Sequence, residues 1–143
     1  MAGVEPRTWE LNDEEFRAVS ALPPGERYNH FVKRVADWEW VWALEQADGK
    51  GLVQSVDDDR VSYLAVWPHP RYAEACAVAD WSGTAPAAIE VHDWVVAILP
   101  RLAEEGTRLV VFETPDQQGF IVPTDGMRED LGSELSLYEG PTA

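Results

Sequence analysis

The stretch from Pro24 to Leu44 reads PGERYNHFVKRVADWEWVWAL, and its hydrophobic period changes part-way along. Tyr28, Phe31, Val32, Val35 and Trp38 are spaced by three and four, which places them on one stripe of a helix. Lys33, Arg34 and Asp37 lie off that stripe. Pro24 suits the first turn of such a helix, because its φ is already fixed and its missing amide proton would go unused there. Beyond Trp38 the pattern alternates, so Trp40, Trp42 and Leu44 share one face of a strand. A helix followed directly by a tryptophan-rich strand predicts an α+β domain.

Reading outward from this stretch extends the same class in both directions. Residues 1–11 are expected to form a mobile leader. Asn12 or Asp13 can cap a first helix reaching about Leu22, with Phe16 and Val19 on one face, until Pro23-Pro24-Gly25 stops it. Downstream, Asp48-Gly49-Lys50-Gly51 turns the chain into a strand at Leu52 to Val56. The polar tip Asp57-Asp58-Asp59-Arg60 leads to another at Val61 to Trp67. Two short links predict a three-stranded antiparallel meander.

Pro68-His69-Pro70 ends that strand and starts an alanine-rich helix to about Ala79. After Trp81-Ser82-Gly83 comes a short apolar piece, Ala87 to Val91. Asp93 then reads as the cap of a helix burying Trp94, Val95, Ile98 and Leu102. Pro100 is expected to kink that helix and Gly106 to end it. Thr107 to Glu113 and Phe120 to Val122 read as strands around the loop 115–119, and Pro123-Thr124 opens a last helix to about Tyr138. The expected product is a mixed, largely antiparallel sheet of five or six strands with helices packed against it. The chain, residues 1–143, reads as a single domain.

Four of these segments together resemble the bacterial domain-of-unknown-function family 2750. They are Pro24 to Leu44, Val66 to Cys76 (VWPHPRYAEAC), Val110 to Val122 (VVFETPDQQGFIV) and Met127 to Tyr138 (MREDLGSELSLY). The resemblance implies a small bacterial protein. It brings no activity, cofactor or catalytic residue with it.

Charge narrows the function classes. Eleven basic residues against 26 acidic ones leave a net charge of -15. Such a field repels nucleic acid and anionic membrane, so neither is expected as a partner. It attracts a basic protein, but solubility is the commoner reason for such a charge and is read ahead of a partner. Cys76 is the single cysteine and no signal peptide is apparent, so a cytoplasmic location is expected.

Chemistry-bearing patterns are sparse. His30, His69 and His92 lack the paired spacing of a zinc site, and Asp57 to Asp59 lack the alternation of a calcium loop. Trp81-Ser82-Gly83 lacks the upstream glycine of a nucleophile elbow. Cys76 falls on an alanine-rich helix, where a buried thiol is the ordinary outcome. No metal, cofactor or catalytic residue is therefore expected.

Seven tryptophans are the remaining signal. Trp38, Trp42 and Trp94 sit on apolar periodicities and read as core. Trp40, Trp67 and Trp81 read as either core or contact surface. Trp67-Pro68-His69-Pro70-Arg71-Tyr72 stands out, because two prolines would display His69 and Arg71 at low entropic cost. The plainer reading, a strand-to-helix corner with His69 capping locally, comes first. The candidate binding residues are Trp40, Trp67, His69, Arg71, Trp81 and Asp116. The expected function is that of a non-enzymatic, acidic protein-binding module of immunity or regulatory type. The alternative is a small-molecule binder or enzyme with a pocket near Trp67 to Tyr72, closed by the 113–119 loop.

Overall fold

The computed structural model describes residues 5–49 and 51–139. Helix α1 (Asp13–Ser20) starts at Asn12, whose side chain accepts the Glu15 amide at 2.8 Å. Asp13, Glu14 and Glu15 add acidic charge at the positive end of its dipole. Helix α2 (Pro24–Trp38) starts at the anticipated proline and buries Tyr28, Phe31, Val32 and Val35. It ends where Glu39 takes a left-handed conformation, φ 72°, and returns its amide to the Val35 carbonyl at 2.7 Å.

Among the described residues six strands follow, but they do not make the single sheet expected. Strand β1 (Trp40–Glu45) forms a two-stranded antiparallel sheet with β4 (Ala85–Glu90). Strands β2 (Gln54–Val56), β3 (Ser62–Val66), β5 (Arg108–Val111) and β6 (Phe120–Val122) form a four-stranded sheet in the order β2-β3-β5-β6. Its central pair, β3 and β5, is parallel and its outer pairs are antiparallel. The predicted meander therefore stops half-way. Residues 52 and 53 meet β1 through one bridge, Glu45 to Leu52, and one bond from the Val53 amide to the Leu44 carbonyl. The chain then leaves β1 to pair with β3. A second bridge, Trp42 to Trp67, joins the two sheets. Lys50, in the middle of the expected Gly49-Lys50-Gly51 turn, lies outside the described residues.

Strand β1 is buried from Val41 to Leu44 on both of its faces. Its alternation was a poor guide for this reason: a strand covered on both sides needs no polar face. Trp40, at its start, remains half-exposed.

Helix α3 (Pro70–Ala75) is shorter than expected and is followed by a 3-10 turn at Ala79–Trp81. The cap of the next helix is Glu90 rather than Asp93: its carboxylate accepts the amides of His92 and Asp93. The helix runs as α4 (Val91–Asp93), a π stretch (Trp94–Ile98) and α5 (Leu99–Glu104). Pro100 has no amide to give the preceding turn, and the widened π turn, closed by the Leu99 amide on the Trp94 carbonyl, makes room for it. Helix α6 (Thr124–Glu139) packs on α2 and α5 through Met127 and Leu131. Trp94, fully buried, donates its indole N–H to the Met127 sulfur at 3.2 Å.

Within the segment read as a leader, Trp9 and Leu11 lie against the core. Leu11 is buried, and Trp9 packs between His69 and Trp38. Met1 to Val4 lie outside the described residues.

Candidate functional site

The C-terminal ends of the parallel strands β3 and β5 carry the residues of interest, the position at which α/β sheets commonly present a ligand site. Strand β3 runs into Trp67, whose side chain is fully buried and whose indole N–H donates to the Glu113 carbonyl at 2.8 Å. The Cys76 thiol points at the same carbonyl, with its sulfur 3.2 Å away. Trp81 meets Trp67 edge-on, with ring centres 6.3 Å apart.

Strand β5 runs into Phe112, a buried aromatic residue with φ 62°. A side chain of that size rarely adopts a left-handed backbone, and such strain costs about 1–3 kcal/mol. The conformation is held from both sides. The Phe112 amide donates to the Val66 carbonyl at 2.8 Å, and the Phe112 carbonyl accepts Arg27 Nε at 3.0 Å.

Arg27 is the residue that sequence reasoning missed. Its guanidinium is fully buried and makes three further bonds: to the Leu22 carbonyl (2.6 Å), to Gln117 Oε1 (2.7 Å) and to the Gln118 carbonyl (2.9 Å). None of these four acceptors is a carboxylate. Arg27 thus ties the end of α1, the start of α2 and the loop 112–118 into one unit. Its signal in the sequence is its position: it lies four residues before Phe31 and eight before Val35, on the buried stripe of α2.

The loop closes on itself as well. The Thr114 and Gln117 amides donate to each other's carbonyls at 2.9 and 3.3 Å, and the Thr114 hydroxyl accepts the Gln117 amide at 3.0 Å. Gly119 is packed so tightly that a β-carbon there would lie 2.5 Å from the Val111 carbonyl oxygen and 2.9 Å from the Glu113 nitrogen. The result is a rigid ridge with a hollow on either side. One, of about 280 Å³, is lined by Cys76, Val78, Trp81, Glu113 and Pro115. The other, of about 410 Å³, lies between Phe16, Arg17 and Ser20 of α1 and Thr114 to Gln117. Asp116 lines the second and is exposed.

Electrostatics argue against a nucleophile here. Burial pushes the Cys76 thiol up to about 12, with the Glu113 carboxylate adding to the effect, so the sulfur stays protonated. Burial also raises Glu113 above its ordinary value, with the Gly119 amide opposing. Among the described residues, no group of three His, Cys, Asp or Glu side chains is placed to hold a metal ion.

The six candidate residues therefore separate. Trp81 and Asp116 line hollows on opposite sides of the ridge, and Trp67 is fully buried beneath it, part of the core rather than of a contact surface. His69 and Arg71 are turned toward the N-terminal segment instead. The pocket that would join Trp67 to His69 and Arg71 is not assembled. His69 caps α3, accepting the Arg71 amide on Nδ1 at 3.0 Å, while its Nε2 lies 2.9 Å from the Trp9 carbonyl. Arg71 bonds the Leu11 carbonyl at 2.9 Å and Asp13 at 2.5 Å. Trp40 pairs with Glu90 across the β1–β4 ladder.

A family model described as protein of unknown function (DUF2750) matches residues 28–131. The chain belongs to that family. The DUF2750 region runs from α2 into α6, takes in the whole ridge, and begins one residue after Arg27. No curated protein and no solved structure matches the chain. No helix among the described residues of this DUF2750 chain is long and apolar enough to cross a membrane.

Proposed function

We propose that the chain is a non-enzymatic binding module that receives a basic protein partner on its acidic surface, with the 113–118 ridge as the contact. The observation that carries this reading is Arg27. Burying a guanidinium without a carboxylate is costly, and here the charge serves to fix the shape of an exposed loop. A loop held rigid before binding loses little entropy when it binds, which is why recognition loops on firm scaffolds are favoured. Asp116 on the ridge and Asp80 beside it are exposed, with Pro115 and Trp81 offering apolar area. The net charge of -15 supplies long-range attraction for a cationic partner. A single buried thiol accords with a reducing compartment, the cytoplasm.

A small-molecule site is the weaker reading. The hollow beside Trp81, about 280 Å³, falls below the roughly 300–1,000 Å³ usual for such sites, and the one beside Asp116, about 410 Å³, reaches only the lower part of that range.

The test is affinity capture with the tagged chain from cells that express it naturally. A basic protein should be retained in stoichiometric amount. Its retention should fall as salt rises from about 0.1 to about 1 M, which shortens the screening length from about 10 to about 3 Å. It should also fall with Asp116→Lys. Capture indifferent to both changes would overturn the reading, and a co-purified metabolite with no protein would replace it with the pocket.

A further inference from the structure

Residues 5–22 form an arm that is held to the rest of the molecule in the way a peptide ligand is held. Its anchor is the Trp9 indole. The Arg34 guanidinium lies 4.7 Å from the ring centre, and the His69 ring meets it edge-on at 4.8 Å. Trp38 and His30 complete the seat at 5.9 and 6.5 Å. Main-chain contacts come next. The His69 Nε2 and Arg71 Nη1 atoms lie 2.9 Å from the carbonyls of Trp9 and Leu11. Carboxylates come last, with Asp13 on Arg71 at 2.5 Å and Glu15 on Arg34 at 3.7 Å. Arg7 adds a cation over the Trp38 ring at 5.7 Å. An aromatic seat, donors for carbonyls and a pair of cations are what a protein uses to recognise an extended segment from another chain. Residues 9–15, WELNDEE, carry four carboxylates. The face that receives them gathers two arginines on a chain of net charge -15.

A second observation shows that the arm does not exhaust this face. The Tyr72 hydroxyl, His30 Nε2 and Trp38 Nε1 are buried without a hydrogen-bond partner. Tyr72 is only 2% exposed, and its ring is stacked under Phe16 of α1 at 5.2 Å. Buried polar atoms are paired in most native structures, and unpaired ones call for a role. Phe16 and Trp9 of the arm pack on the rings of Tyr72, His30 and Trp38 without giving these atoms a hydrogen bond, and α1 itself buries none of its residues.

We propose that the face made by His30, Arg34, Trp38, His69, Arg71 and Tyr72 is a recognition site for an acidic segment of a partner protein carrying a tryptophan, and that residues 9–15 are a tethered occupant which that segment displaces. The ligand is opposite in charge to the partner expected at the ridge, so the two sites select different molecules. Tethering gives the arm an effective concentration of about a millimolar, enough to exclude weak competitors and to yield to a better-fitting one.

The experiment uses the full chain and a fluorescent synthetic peptide of residues 5–22, followed by anisotropy. The variant Asp13→Ala/Glu15→Ala removes the arm's own ion pairs and leaves the face intact. It should bind the peptide roughly tenfold more tightly than the wild type, because the tethered competitor is weakened. Trp9→Ala in the chain should do the same more strongly, with circular dichroism confirming that both variants remain folded. Adding Arg34→Ala/Arg71→Ala should abolish the gain, as should a peptide lacking its tryptophan. Equal binding by wild type and both arm variants would overturn the proposal, as would binding that survives loss of both arginines. A wild-type dimer in sedimentation that vanishes in Trp9→Ala would overturn the partner assignment and make a second copy of the chain the occupant.

Discussion

At the residue scale, Arg27 and His69 show how much a single buried polar group can fix. Arg27→Met keeps the stem and removes every donor. Buried acceptors left without donors cost about 1–3 kcal/mol each, so the loss should be about 3 kcal/mol in urea denaturation, with the Phe112 and Gln118 carbonyls bearing most of it. A change under half of that would mean water replaces the guanidinium. Lysine, lacking the planar fork, should not rescue. His69 accepts the Arg71 amide on Nδ1, so its proton sits on Nε2, facing the Trp9 carbonyl. A second proton on Nδ1 would face another donor and undo the cap of α3. Burial, more than the Arg71 charge, holds His69 below its ordinary value, with the Trp9 carbonyl, Glu15 and Glu74 opposing. Burial followed by the Arg34 charge does the same for His30, with Glu15 opposing. Both histidines therefore take up protons more readily in the unfolded chain. Their contribution to stability is fully present above about pH 6.5 and is lost as pH falls below it. Denaturation midpoints should drop between pH 7 and pH 5, and His30→Gln/His69→Asn should flatten the drop. Asparagine can still cap the helix. A profile unchanged by the double variant would remove the histidines from the account. His69 was visible in the sequence as a displayed residue between prolines, but its partner, Trp9, lies 60 positions away and no local pattern announces it.

At the level of elements, local periodicity was readable and pairing was not. The helix α2 and the strand β1 begin and end close to where the change of period from 3.6 to 2 places them. The partner of β1 was hidden, because β4 contains Ala85-Pro86-Ala87-Ala88, residues with little strand preference that are placed by their neighbours. The parallel pairing of β3 with β5 spans two helical segments and one strand of the other sheet, and no short-range signal encodes it. Gly119 was read as a plain loop residue, whereas its role is close approach: the neighbouring backbone leaves no space for a methyl group. Gly119→Ala should force the ridge out of shape and lower the melting temperature by several degrees, since roughly 1 kcal/mol shifts a domain of this size by about 2–8 °C. A melting temperature within a degree of the parent would show that the ridge has slack.

For the whole molecule, the acidic balance and the class of fold were legible from composition and patterning, and the ridge proposed as a contact only in part. Trp67, Trp81 and Asp116 were named for their residue types and positions; folding buries Trp67 and leaves Trp81 and Asp116 on opposite sides of one loop. Arg27, which gives that loop its shape, was overlooked because the apolar stripe was read from Tyr28 onward. Its contacts join positions 85 to 91 residues apart. That span has a consequence in time. The ridge cannot take its final form until α2 has docked beside β5, so we predict that it orders late and opens only with the rest of the molecule. A protease added to the native protein should leave the bonds around Gln117 and Gln118 uncut although both side chains are exposed. Cleavage there should follow the rate of global opening instead, and Arg27→Met should convert the same bonds into early nicking sites.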